Sequence, residues 1–166
     1  MINIGFIGCG RIADLHAAAY RDYDKARIYA VCDANRERAE ERRRQWSAEK
    51  AYVHPADLLA DPKVDAVEIL TPYDTHETIA IAAAQAGKHM ACQKPMTTSL
   101  ASARRIGDAV RQAGVRFQLT EVYVHYPPIV CAKRLIESGA IGEPVGMRMD
   151  YVASARGGWN VPPDTY

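Results

Sequence analysis

The pattern of the first thirty-three residues most constrains the fold of this chain. An apolar run, Ile2–Ile7, leads directly into a glycine segment at 8–13 (GCGRIA), and twenty residues after Ala13 a second apolar run at 27–32 ends on Asp33. The two runs are typical of buried strands, and the residues between them predict a helix. The resulting order of strand, glycine turn, helix, strand and acidic residue is that of a dinucleotide-binding βαβ unit.

The glycine segment suits a phosphate-binding turn. Gly8 lets the chain turn sharply off the strand, Gly10 leaves room for a pyrophosphate to approach the backbone, and Ala13 allows close packing of helix on strand. The helix that begins near Arg11 offers the N–H groups of its first turn and the positive end of its dipole to the phosphates. The residues expected to bind the dinucleotide here are Gly8, Cys9, Gly10, Arg11 and Ile12.

Asp33 is placed to choose between the two nicotinamide dinucleotides. Its carboxylate can accept hydrogen bonds from the adenosine ribose hydroxyls, and its charge would repel a 2′-phosphate. The sequence therefore predicts NAD(H) rather than NADP(H). Arg36 and Arg38 are close enough in sequence to weaken that preference, and we include Arg38 among the expected cofactor contacts.

Composition excludes several other classes of protein. A chain of 166 residues can bury one domain well and is marginal for two. Its net charge of +1 gives no general reason to expect nucleic-acid or membrane binding. The four cysteines have no spacing typical of a metal site or a disulfide framework, so no metal is expected. Because the N-terminus lacks a signal-peptide pattern, we expect a cytoplasmic protein.

Helix and strand patterns alternate after Asp33 with short connections. This alternation predicts an α/β fold, a doubly wound parallel sheet covered by helices. Gly87 is expected to close the helix at 75–86, and the helix at 99–113 is expected to begin with Ser99 as its N-cap and to end at Gly114. The predicted helices cover 11–23, 36–48, 75–86 and 99–113 with a short helical turn at 54–59, and the later strands cover 66–70, 88–92 and 116–120.

The pattern changes after Thr120. An aromatic-rich loop at 121–128 precedes a predicted helix at 129–138, and residues 145–151 alternate like a half-buried antiparallel strand. Because one strand cannot form a sheet, we expect either a truncated chain, which we favour, or a strand completed by another chain. The predicted domains are a dinucleotide-binding Rossmann domain at 1–121 and the connection and first strand of an incomplete α/β substrate domain at 122–166.

Four segments form a recognisable set: the glycine segment with Asp33, the loop 71–76 (TPYDTH), the block 86–95 (AGKHMACQKP) and the segment 135–142 (LIESGAIG). Together they resemble the N-terminal half of the glucose–fructose oxidoreductase / inositol dehydrogenase / MocA family. The resemblance implies an NAD(P)-dependent oxidoreductase that transfers a hydride between the nicotinamide and a sugar, polyol or related carbohydrate. It also implies a longer full chain, with a C-terminal α/β domain through which a homo-oligomer could form.

The resemblance implies a catalytic role for Lys94. This residue matches the family's lysine beside the reacting hydroxyl, where an ammonium group can polarise the oxygen and take part in its proton transfer. Gln93 stands where the family has glutamate, which leaves the protonation of Lys94 open. Because the family's other catalytic groups lie in the C-terminal domain, we expect this chain to bind the cofactor without turning over. A non-catalytic NAD(H)-binding sensor or assembly module is the alternative.

Two further groups of residues are assigned by the resemblance. Thr71, Pro72 and His76 match the loop that lines the cofactor, and Tyr73 could pack beside its ring; for His76, capping or packing on the next helix is an equal alternative. Glu121 and Tyr123 match positions near the nicotinamide amide and the substrate, and Gln93 and Lys94 are also expected near the cofactor. Arg156 and Trp159 could bind a sugar by hydrogen bonding and ring stacking. For Arg156 and Trp159, an ordered loop without a ligand is the alternative.

Overall fold

The computed structural model describes residues 1–150 of the chain. Six parallel strands form one sheet in the order β3-β2-β1-β4-β5-β6. The strands are β1 (Ile2–Ile7), β2 (Ala26–Cys32), β3 (Lys50–Tyr52), β4 (Ala66–Ile69), β5 (His89–Gln93) and β6 (Phe117–Thr120). The helices are α1 (Arg11–Tyr20), α2 (Arg36–Gln45), α3 (Pro55–Ala60), α4 (His76–Gln85), α5 (Leu100–Ala113) and α6 (Pro127–Glu137).

The strand order reverses direction between β1 and β4. The chain first builds the sheet outward from β1 to β3, then returns to the other side of β1 and builds from β4 to β6. The loops that leave β1 and β4 at their carboxyl ends therefore lead to helices on opposite faces of the sheet, which is the place where open α/β sheets bind their ligands. The predicted doubly wound α/β fold is confirmed.

Apolar side chains cover both faces of this sheet. One cluster joins the sheet to α3, α4 and α5 through residues such as Leu58, Ile79 and Ile106. The other lies beneath α1 and contains Phe6, whose ring meets the edges of Tyr20 and Trp46 at centroid distances of 5.6 and 5.5 Å. These two clusters hold helices on opposite faces, as in a doubly wound sheet.

Element ends differ from the sequence prediction by a few residues. Helix α1 ends at Tyr20 rather than 23, and α2 ends at Gln45 rather than 48. The predicted N-cap Ser99 is confirmed, since its side chain accepts a hydrogen bond from the Ser102 N–H. Strand β3 was not predicted, because three residues are too few to show an alternating pattern.

The chain divides into two compact units, Met1–Thr120 and Glu121–Tyr166. The described part of the second unit contains a 3₁₀ turn at Val122–His125 and α6, which begins at Pro127 because proline suits the first helical turn. The strand predicted at 145–151 is wrong over 145–150, which carry no regular structure. This segment pairs with no strand within residues 1–150, and an unpaired strand is not stable.

Candidate functional site

The carboxyl ends of four strands lie at one edge of the sheet. Ile7 at the end of β1 pairs with Cys32 on one side and Ile69 on the other, and Ile69 pairs with Cys92 of β5. The residues that follow these strands therefore meet at this edge. They are the glycine turn, Asp33, the loop 71–75 and the segment at Gln93 and Lys94.

The two glycines of the turn are required for different reasons. Gly8 has φ +96°, and a Cβ there would lie 2.7 Å from the Leu70 carbonyl carbon, so only glycine lets β1 leave the sheet beside β4. Gly10 has an ordinary φ of −75°, and a Cβ there would meet no atom within 4 Å. Gly10 therefore preserves open space at the N-terminus of α1, which is the feature that a pyrophosphate requires.

The first turn of α1 completes this cradle. Gly10 is its N-cap and offers no side chain to the N–H groups of the turn, which contains Arg11 and Ile12. Ala13, fully buried, lets the helix pack directly on the sheet. A helix N-terminus without a capping side chain directs its N–H groups and dipole toward an anion. The geometry thus fits the phosphate group of a dinucleotide.

Asp33 is fixed beside the turn by main-chain hydrogen bonds. Its Oδ2 accepts from the Cys9 N–H at 2.9 Å, and its Oδ1 accepts from the Asn35 N–H at 2.9 Å. The half-exposed Arg38 guanidinium lies 3.4 Å from Oδ1. The structure therefore keeps the carboxylate at the end of β2 with Arg38 beside it. The sequence predicts that Asp33 binds the adenosine ribose and that Arg38 contacts the cofactor.

Cys9 lies beneath the turn rather than on its surface. Its side chain is fully buried, and its N–H is used by Asp33. Burial, followed by the charge of Asp33, raises the pKa of the Cys9 thiol to about 12. Cys9 can therefore shape the turn, whereas its thiol has no surface with which to meet a ligand.

The loop after β4 is tied to the loop after β5 by His76. Its Nε2 lies 2.9 Å from the Thr71 carbonyl oxygen and its Nδ1 lies 3.0 Å from the Pro95 carbonyl oxygen. The ring has no exposed surface, so His76 acts on the site through these two loops. Pro72 and Tyr73 are exposed at the tip of the first loop.

Lys94 is exposed directly after β5, and its peptide bond to Pro95 is cis. The Gln93 side chain holds the backbone at this point, because its Oε1 accepts a hydrogen bond from the Lys94 N–H at 2.7 Å. The other end of the Gln93 amide, Nε2, lies 3.1 Å from Nε2 of His16. The structure therefore places Lys94, the predicted catalytic residue, at the same edge of the sheet as the glycine turn.

Sequence reasoning missed several polar residues behind this edge. His16 and Tyr20 of α1 both contact the carboxylate of Glu68 in β4, and Arg42 of α2 lies 3.5 Å from the carbonyl oxygen of Cys9. Two signals were available. Glu68 is a charge inside an apolar strand, and His16 and Tyr20 are four residues apart on one helix face.

The other predicted residues lie outside the first unit. Glu121 caps the 3₁₀ turn by accepting from the Tyr123 N–H, and Tyr123 is exposed. Arg156 and Trp159 lie outside the described residues. Between residues 1 and 150, no three His, Cys, Asp or Glu side chains are grouped as a metal ion would require, and no helix is long and apolar enough to cross a bilayer.

Comparison with known proteins agrees with this geometry. A family model described as an oxidoreductase family with an NAD-binding Rossmann fold matches residues 2–121. A myo-inositol 2-dehydrogenase of Thermotoga maritima is 34% identical over 148 residues, and a D-apiose dehydrogenase of Paraburkholderia graminis is 37% identical over 145. The alignments include 89% and 87% of this chain but only 44% and 39% of those relatives.

Among solved structures, an NAD binding oxidoreductase from Klebsiella pneumoniae is similar with a TM-score of 0.82 and 39% sequence identity. That match covers 87% of this chain and 40% of the Klebsiella chain. The predicted family, fold class and NAD-binding domain are thus confirmed. The chain belongs to the Gfo/Idh/MocA oxidoreductase family, and it contains that family's NAD-binding Rossmann domain.

Proposed function

We propose that this chain is the cofactor-binding part of an NAD-dependent dehydrogenase acting on a sugar or polyol. The observation that carries the proposal is that one edge of the sheet brings together the open space at Gly10, the carboxylate of Asp33 and the exposed residue Lys94. The names of the two relatives, a myo-inositol 2-dehydrogenase and a D-apiose dehydrogenase, support a carbohydrate substrate.

Different residues at this edge bind different parts of the dinucleotide. The N-terminal turn of α1 receives the diphosphate, Asp33 receives the adenosine ribose, and the loop with Thr71, Pro72 and Tyr73 lines the dinucleotide. Bound nicotinamide supplies the hydride acceptor or donor. Lys94 polarises the substrate oxygen and exchanges its proton, since an exposed ammonium group can approach that oxygen directly.

We further propose that 1–121 is the cofactor domain and that 122–166 begins the substrate domain, with Glu121, Tyr123, Arg156 and Trp159 facing nicotinamide or sugar. The division of the chain after Thr120 and the family match to 2–121 support this boundary. A cytoplasmic location agrees with the four free cysteines, because thiols stay reduced there. A homo-oligomer would form through the C-terminal part.

The proposal is tested by titrating the chain with NADH and following nicotinamide fluorescence. Saturable binding, displaced by NAD⁺, is expected; absence of binding at millimolar NADH would remove the basis of the proposal. A screen of inositols and aldoses for NAD⁺ reduction, run on the complete gene product, then separates a dehydrogenase from a non-catalytic NAD(H)-binding module. In that assay Lys94→Met should lower turnover roughly 100-fold or more while NADH affinity is kept.

A further inference from the structure

A buried carboxylate lies behind the proposed catalytic edge. Glu68, in the middle of β4, is only 7% exposed, and its two oxygens face the Tyr20 hydroxyl and the His16 Nδ1, each at 2.5 Å. Burial and the neighbouring Glu68 carboxylate raise the pKa of Tyr20, so its hydroxyl remains a donor. A carboxylate oxygen accepts hydrogen bonds, so Nδ1 of His16 is the donor in this contact.

The orientation of the Gln93 amide fixes the other side of the same ring. The Lys94 N–H can only donate, so the Gln93 atom 2.7 Å from it is the acceptor Oε1. The Thr120 hydroxyl lies 3.4 Å from the same oxygen. The amide nitrogen of Gln93 must then face His16, where it donates to an unprotonated Nε2 at 3.1 Å. A neutral ring with its proton on Nδ1 satisfies every partner at once.

We propose that Gln93 is a positioning residue that links Lys94 to the buried Glu68 through the neutral, Nδ1-protonated form of His16. Its importance for catalysis rests on the proposed function, in which Lys94 acts on the substrate. These contacts join Glu68 of β4 to His16 of α1, and His16 to Gln93 at the end of β5. They therefore hold the backbone at Lys94 in place relative to both β4 and α1. In this arrangement His16, Tyr20 and Glu68 influence Lys94 through Gln93.

The proposal explains what glutamine does in place of the glutamate expected here. A carboxylate at 93 would still accept from the Lys94 N–H, but it would present an acceptor to Nε2 of His16. That ring would then lie between two carboxylates and would favour a proton on both nitrogens. Gln93 therefore keeps the hydrogen bond to the Lys94 N–H and leaves the His16 ring neutral.

The tautomer is tested by ¹⁵N NMR of histidine-labelled protein near neutral pH, with His16→Gln used to assign the signal. We expect the parent His16 to show a protonated Nδ1 and an unprotonated Nε2, and Gln93→Glu to show protons on both nitrogens. A parent ring protonated on Nε2, or a Gln93→Glu spectrum identical to that of the parent, would overturn the proposal.

The connection to Lys94 is tested by hydrogen exchange at its amide. Gln93→Leu removes the acceptor and should speed exchange roughly five- to tenfold, the effect of one lost hydrogen bond, whereas Gln93→Glu should keep the parent rate. His16→Leu should accelerate exchange less, because Oε1 of Gln93 can still accept the hydrogen bond while the Gln93 amide loses its contact with His16. Equal rates in all four proteins would refute the link. Neither readout uses a cofactor, so a chain that failed to bind NADH would still give one of these results.

Discussion

Alanine substitutions at Gly8 and Gly10 should affect different properties of the protein, although the two residues lie only two positions apart in the same turn. At Gly8 the backbone has φ +96°, and a Cβ would lie 2.7–2.8 Å from main-chain atoms of Leu70 and Thr71. At Gly10 the backbone is ordinary and the Cβ would point into open space. One substitution should therefore damage the fold, and the other should damage only the ligand site.

The magnitudes follow from these contacts. For Gly8→Ala, an unfavourable φ costs about 1–3 kcal/mol and the overlap with fixed main-chain atoms about 1–3 kcal/mol more. The free energy of unfolding should fall by several kcal/mol, and Tm by roughly 10 °C or more. For Gly10→Ala, stability should change by less than about 0.5 kcal/mol. The loss of two amide–phosphate hydrogen bonds, at about 1.5 kcal/mol each, should weaken NADH binding roughly 100-fold.

Thermal unfolding and an NADH fluorescence titration on the parent and the two variants measure both effects. The reasoning would be refuted if Gly10→Ala bound NADH like the parent, because the space at Gly10 would then not be the phosphate site. It would equally fail if Gly8→Ala kept the parent Tm.

Three further predictions concern other parts of the chain. Asp33→Ala should reduce the preference for NADH over NADPH roughly tenfold, and an unchanged ratio of the two dissociation constants would contradict the role of this carboxylate. In native protein one thiol, the exposed Cys131, should react with a thiol reagent, and Cys131→Ser should react with none, because burial raises the pKa of the other three thiols to about 12. Hydrogen bonds from Arg105 and Ser102 lower the pKa of Glu77 to about 2, so Glu77→Gln should lower Tm at neutral pH. That difference in Tm should shrink as pH falls from about 4.5 toward 2, since the carboxylate stabilises the fold only while it is ionised and the folded state holds that charge longest.

The parts of the fold that follow local patterns could be predicted from the sequence. Local sequence patterns indicate the structure of the glycines at 8 and 10, of Asp33 and of the apolar runs of β1, β2 and β4. The alternation of helix and strand then restricts the topology of the sheet. The edge of the sheet follows because parallel strands end on the same side. The sequence could therefore predict most of the residues that meet at this edge.

The missed features depend on tertiary contacts. Glu68 looks like an interruption of an apolar strand until α1 brings His16 and Tyr20 against it. The alternation at 145–151 is typical of a strand, but a strand also needs a partner, and residues 145–150 pair with none within residues 1–150. His76 had two equal interpretations, and only the fold shows that its ring lies between the carbonyl oxygens of Thr71 and Pro95.

That placement of His76 has a consequence for protein engineering. The segments that follow β4 and β5 both contact the His76 ring through a main-chain carbonyl oxygen. Neither segment can therefore be exchanged by itself for the corresponding segment of a relative. A chimera that imports only one of them, with a different backbone path, would move its carbonyl oxygen away from the ring nitrogen that it faces in the interior. The two segments and His76 should therefore be exchanged together when chimeras are built in this part of the protein.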